Sequence, residues 1–100
     1  MSNGAAYVII KQNECMRKFR RAEATDPQRA RALEDLGIKP SRIFRGLEDK
    51  AIFLPGRAPG TYYMDTNAAE DFIAARRRRA FLMLLLGLAA AAVLFFLTRR

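Results

Sequence analysis

The sequence predicts a mainly α-helical protein with a small β-hairpin, in which a soluble domain is followed by a long helix continuing into a single transmembrane span. Three observations predict it. Ala80–Leu97 is an eighteen-residue run without a charged side chain (AFLMLLLGLAAAAVLFFL), introduced by Arg76, Arg77, Arg78 and Arg79. At about 1.5 Å per residue it covers roughly 27 Å as a helix, close to the ~30 Å hydrocarbon core of a bilayer. Ahead of it, apolar residues recur near helical spacing in three segments, and two β-prone runs flank a Gly/Pro loop. Residues 1–79 offer too few apolar partners to surround a helix that is apolar on every side, so the run does not read as a buried core helix. Its distance from the N-terminus also separates it from a cleaved secretory signal.

The elements follow in order. Residues 1–6 (MSNGAA) are small and polar and are expected to be disordered. From Tyr7 to about Ala22, Ile9, Met16, Phe19 and Ala22, with Ile10 and Cys15 nearby, mark the inner face of an amphipathic helix. Arg17, Arg20 and Arg21 fall on another face. Thr25-Asp26-Pro27-Gln28 reads as a capping box with proline in the first turn, opening a second helix through Ala30, Leu33 and Leu36. Gly37 ends that helix in the left-handed conformation, and Ile38 folds back on it. A third helix starts around Pro40-Ser41 and carries Ile43, Phe44, Leu47 and Ala51 near i, i+4 spacing.

Ala51–Leu54 and Thr61–Met64 are the two strands of the hairpin, joined by Pro55-Gly56-Arg57-Ala58-Pro59-Gly60. Tyr62 and Tyr63 alternate across the second strand, one inward and one outward. Asn67 and Glu70 resemble another capping box and open the last helix. The expected organisation is a domain over residues 7–66, a basic juxtamembrane helix over 67–79, the span over 80–97 and a short tail over 98–100. No glycine or proline lies between Asn67 and Arg79, so the helix is expected to enter the membrane unbroken, with residues 67–97 forming a rod of about 45 Å.

The formal charge of +8 invites a nucleic-acid reading until it is divided by region. Residues 1–75 hold twelve basic and all ten acidic side chains, a balance of +2; the last twenty-five residues hold six arginines and no acid. Most of the net charge therefore flanks the span. There Arg76–Arg79, Arg99 and Arg100 are membrane-anchoring residues for anionic headgroups, at roughly 1 kcal/mol each. Four arginines precede the span and two follow it. The basic-rich side stays cytoplasmic, which predicts a tail-anchored protein with a cytoplasmic N-terminal domain and its C-terminus on the opposite side. Within the span, Gly87 and Ala91 make a small-xxx-small pattern that lets helices approach closely; alanine-rich filler explains it equally.

Catalytic chemistry finds no foothold. The sequence has no histidine and one cysteine, so the usual zinc sets and Ser-His-Asp or Cys-His pairs cannot be assembled. Cys15 reads as a half-buried small apolar residue in a reducing compartment. The Gly56–Gly60 loop lacks the Gly-Lys-Ser/Thr ending of a phosphate loop. Asp65, Glu70 and Asp71 are accounted for by a helix start. The expectation is no catalytic residue, no metal, no cofactor and no small-molecule substrate.

The order helix, helix, tight Gly turn, helix, hairpin resembles a winged helix-turn-helix over roughly residues 10–66. DPQRARALEDLGIKPSRIFRGLEDKAIF resembles its helix–turn–recognition-helix core, and FLPGRAPGTYYMD resembles the wing. The resemblance implies a fold that hosts both DNA readers and protein-interaction modules. In DNA-binding members the third helix enters the major groove, and the matching positions here are Ser41, Arg42 and Arg45, with Lys39 before them and Arg57 on the wing. Glu34, Asp35, Glu48 and Asp49 make the face mixed, as on an ordinary solvated helix surface. Lys39, Arg42, Arg45 and Arg57 are thus candidate contacts for a protein partner or for nucleic acid. The expected function is a protein-interaction module or accessory subunit of a membrane complex, with a membrane-tethered DNA-binding regulator as the alternative. A third idea is a lipid-organising protein whose Arg17, Arg20 and Arg21 also touch headgroups.

Overall fold

In the computed structural model, which describes residues 3–99, the first helix α1 runs Asn3–Arg21. Residues 3–6, expected to be disordered, are therefore helical, while Met1 and Ser2 lie outside the described residues. Ala5 and Ala6 are strong helix formers, and no proline interrupts the chain before Pro27, so the helix extends backwards from its packed part. The remaining elements are β1 (Arg31–Ala32), α2 (Leu33–Leu36), α3 (Arg42–Asp49), β2 (Phe53–Pro55), β3 (Thr61–Met64) and α4 (Thr66–Thr98). The protein is mostly helical, with one small antiparallel sheet of order β1-β3-β2 and one long apolar C-terminal helix. It divides into two compact units, Met1–Ala69 and Glu70–Arg100.

Three consecutive helices end in the same way. At the end of α1, the Ala24 N–H donates to the Phe19 carbonyl at 3.0 Å and the Glu23 N–H to Arg20 at 3.1 Å. After α2, Ile38 donates to Leu33 at 2.9 Å and Gly37 to Glu34 at 3.1 Å; after α3, Ile52 donates to Leu47 at 3.1 Å and Ala51 to Glu48 at 2.9 Å. Each is a Schellman motif, with a left-handed residue followed by a buried apolar one. The left-handed residues are Glu23 (φ 56°), Gly37 (φ 68°) and Ala51 (φ 60°), and the buried followers are Ala24, Ile38 and Ile52. Only Gly37 announced itself, because only glycine takes positive φ without strain. Ala51, which the sequence placed on the apolar spacing of the third helix, lies past its end and is exposed, whereas Ile52 is buried. Ala51→Gly is expected to stabilise the unit by about 0.5–1 kcal/mol and Gly37→Ala to destabilise it by about 1 kcal/mol. Urea unfolding followed by near-ultraviolet circular dichroism measures both; equal midpoints for Ala51→Gly and the parent would refute the strain.

The expected second helix is cut to one turn. Thr25 and Gln28 form no capping box. Instead the Asp26 carboxylate accepts from the backbone N–H groups of Gln28 and Arg29, both at 2.9 Å, and closes a tight turn. Arg31 and Ala32 then pair with Tyr62 and Thr61. A third strand next to the hairpin satisfies backbone groups that a longer helix would have used internally, and this tertiary pairing overrides local propensity. The hairpin forms, with its second strand Thr61–Met64 where expected. Its first strand is Phe53–Pro55 rather than Ala51–Leu54, because residues 51 and 52 close the end of α3. The register is Phe53↔Met64, Leu54↔Tyr63 and Pro55↔Tyr62. Pro55 sits on an edge strand, where its missing N–H costs nothing.

The core of the first unit is wholly apolar among the described residues. Phe53 lies between Phe19 of α1 (centroids 4.4 Å apart, 21° between planes) and Phe44 of α3 (5.1 Å, 16°), and Tyr62 meets Phe44 edge-on at 5.2 Å. Met16, Phe19, Leu36, Leu47 and Met64 are buried, whereas Ile9 and Ile10, expected on the inner face of α1, are exposed. Tyr62 and Tyr63 are both half-buried rather than split between core and solvent.

Gly56 joins the hairpin to the Asp26 turn. Its N–H donates to Thr61 at 2.9 Å, and a Cβ built there would overlap the Ala30 Cβ and stand 2.6 Å from the Thr61 hydroxyl oxygen. Neither neighbour is the loose end of a flexible side chain. Gly56→Ala is accordingly expected to destabilise the unit by about 3 kcal/mol, the upper range for overpacking, with partial rescue by Ala30→Gly. A denaturation midpoint unchanged in Gly56→Ala would contradict the close approach.

The last helix is capped two residues earlier than expected. Asp65, rather than Asn67, accepts from the N–H groups of Asn67 and Ala68 at 3.0 and 3.2 Å. A carboxylate at this end also complements the helix dipole. Helix α4 then continues without a break to Thr98, whose hydroxyl donates to the Leu94 carbonyl at 2.9 Å.

Candidate functional site

Within the first unit, Ser41 starts α3 by accepting from the Phe44 N–H at 3.2 Å, which turns Phe44 and Leu47 inward and leaves Arg42 and Arg45 exposed. These two arginines are three apart and share a helix face, on which Asp49 follows one turn after Arg45. Arg57 is exposed on the hairpin loop. Among the described residues, none of Lys39, Arg42, Arg45 and Arg57 takes part in the charged pairs, which involve Lys11, Glu14, Lys18, Glu23, Asp26 and Arg29. Of the candidates, Lys39 and Ser41 line a groove with residues of α1, and Arg42, Arg45 and Arg57 are not among its lining residues.

That groove has a volume of about 390 Å³. One wall is the stripe Tyr7, Lys11, Glu14, Cys15 and Lys18 of α1; the other is Gly37, Ile38, Lys39, Ser41 and Ile43. The Lys18 ammonium bridges the walls by donating to the Gly37 carbonyl at 2.9 Å. Glu14 lies 3.4 Å from Lys18 and 3.6 Å from Lys11. The Lys18 hydrogen bond and the nearby Lys11 charge hold the Glu14 carboxyl below its ordinary pKa. Burial pushes the half-buried Cys15 thiol up, which favours the unreactive protonated form. Sequence reasoning missed this site. The i, i+4, i+7, i+8, i+11 spacing of the α1 wall is visible in the sequence, but the opposite wall is supplied by the α2–α3 turn and only folding brings it there.

The second unit carries the long apolar helix. Large apolar side chains from Phe81 to Leu97 are 45–73% exposed. At roughly 1–2 kcal/mol for covering each such side chain, leaving the run in water is unfavourable by at least 10 kcal/mol on that scale. The helix is long and apolar enough to span a membrane. Arg76 lies over the Phe72 ring at 5.4 Å and Arg99 over the Phe95 ring at 5.1 Å, both favourable cation–π contacts. Arg77, Arg78 and Arg79 are exposed, while Arg100 lies outside the described residues. Gly87 and Ala91 fall one turn apart on an exposed face, and a Cβ at Gly87 would meet nothing within 4 Å. Known proteins add no relative to these features: no family model matches the chain, and neither a curated protein nor a solved structure does.

Proposed function

We propose that the protein is a non-enzymatic membrane adaptor, in which a winged-helix-like domain serves as a protein-interaction module or accessory subunit of a membrane complex. The observation that carries this reading is α4 itself. One unbroken helix begins at the Asp65 cap of the first unit and continues through four arginines into an exposed apolar run. The winged-helix assignment is supported by the order helix, short helix, glycine turn, helix, hairpin, with Ser41 capping the third helix and β1 extending the hairpin. The excess of arginine before the span supports a cytoplasmic domain. The near-neutral balance of residues 1–75 supports a protein partner over a polyanion.

In-membrane photocrosslinking from exposed positions of the domain tests the reading. A specific protein adduct is the expected result, and adducts to lipid alone would overturn it. Protease digestion of an N-terminal tag in right-side-out vesicles tests orientation, with protection expected.

The second reading, a membrane-tethered DNA-binding regulator, is favoured by exposed Arg42 and Arg45 on one face of α3. It requires the detergent-solubilised chain to bind duplex DNA with a salt dependence that flattens by about one unit for each arginine converted to alanine. Absence of binding at low salt would eliminate it.

A further inference from the structure

We propose that the groove between α1 and the α2–α3 turn is the docking site for an acidic, amphipathic segment of a partner protein, lying along α1 with its apolar end toward Tyr7. This rests on the adaptor reading and names the surface and the chemistry of the partner. The first argument is charge. The groove presents three ammonium groups, from Lys11, Lys18 and Lys39, against the single carboxylate of Glu14. Lys18 is engaged by Glu14 and the Gly37 carbonyl, and Lys11 by Glu14 and the Tyr7 ring (5.7 Å to its centroid), which leaves at least one of the three donors on each ammonium for a ligand. Lys39 is exposed and, among the described residues, in no ion pair.

The second argument is the apolar end. Tyr7 is 57% exposed at the mouth of the groove and Ile10 is 61% exposed on the next turn, as open as Phe81 and Leu88 in the membrane helix. No charged side chain occurs in residues 1–10. The surface therefore changes from apolar to cationic along one helix. Tyr7 to Lys18 covers about 16 Å, three helical turns, which matches a helical segment of about a dozen residues laid into a groove. Glu14 already occupies the gap between Lys11 and Lys18. It repels any anion placed there, so the partner's carboxylates meet Lys39 and the remaining donors of Lys11 and Lys18.

The test uses the full chain in phosphatidylcholine nanodiscs. A displayed library of random twelve-residue peptides is selected on it and counter-selected on empty nanodiscs. Enriched peptides are expected to combine Asp or Glu with large apolar residues. The tightest of them, made synthetically, is expected to slow maleimide alkylation of Cys15 about fivefold or more by covering the groove. Lys39→Glu and, separately, Tyr7→Ser change exposed residues and leave the core intact; each is expected to weaken the peptide about tenfold. Enrichment of basic or uncharged peptides, or affinity indifferent to both substitutions, would overturn the proposal. So would protection of Cys15 by phosphatidylserine nanodiscs without peptide, which would make the occupant a lipid. A protein crosslinked in membranes whose yield ignores both substitutions would remove the groove and leave the adaptor standing.

Discussion

Phe53→Ala is expected to abolish the tertiary structure of the first unit in the full-length chain. The ring is fully buried between Phe19 and Phe44, so its removal takes away the central layer of a three-ring stack and leaves a cavity bounded by α1, α3 and the hairpin. Phe→Ala substitutions in cores cost about 3–5 kcal/mol. A unit of this size is stable by roughly 3–10 kcal/mol at 0.05–0.15 kcal/mol per residue, so the loss is comparable to the whole. Near-ultraviolet circular dichroism in detergent should lose its aromatic signal, while the far-ultraviolet signal of α4 persists. Phe53→Leu keeps most of the volume and should cost only about 1–1.5 kcal/mol. A Phe53→Ala chain melting within a few degrees of the parent would show that the stack does not hold the unit together.

The second large effect concerns the span. Leu85→Arg combined with Leu88→Arg places two guanidinium groups near the middle of the apolar run, where each exchange of leucine for arginine costs about 3–4 kcal/mol on the insertion scale. The pair therefore opposes insertion by roughly 6–8 kcal/mol. The expected result is loss of the chain from the carbonate-resistant membrane fraction, whereas Leu85→Ala with Leu88→Ala remains. Retention of the double-arginine chain would mean that protein, not lipid, surrounds this helix. The same substitutions should leave the Phe19–Phe53–Phe44 stack unaffected, because those rings belong to the other compact unit.

How much could be read in advance differed by element, and the reason is physical in each case. The start of helix α3 around Pro40-Ser41 was legible because apolar spacing is local; that the Ser41 side chain caps it by accepting from the Phe44 N–H came from the structure. The Gly37 ending was legible because glycine marks positive φ; the same motif at Glu23 and Ala51 was not, because those residues adopt it against their preference. The capping box at Thr25 was misread, since Asp26 closes a turn and β1 then pairs with β3, a non-local gain invisible in a window of ten residues. Arg42 and Arg45 of α3 are exposed, as three-residue spacing opposite Phe44 and Leu47 allows. The groove was missed because its walls lie about twenty residues apart in the chain, joined by the Lys18–Gly37 hydrogen bond.

By itself, the sequence determined the apolar helix long enough to span a membrane, the segregation of net charge around it and the helix-rich class with a hairpin. Each of these follows from composition or from periodicity within a few turns. Only the tertiary structure decided that α2 shrinks to one turn beside a third strand, that Gly56 must stay small, and that Ile9 and Ile10 face outward. It also decided that three lysines share a groove with a carboxylate and a thiol. Those outcomes depend on which distant surfaces meet, and close packing and hydrogen-bond satisfaction settle that only when the whole chain has folded.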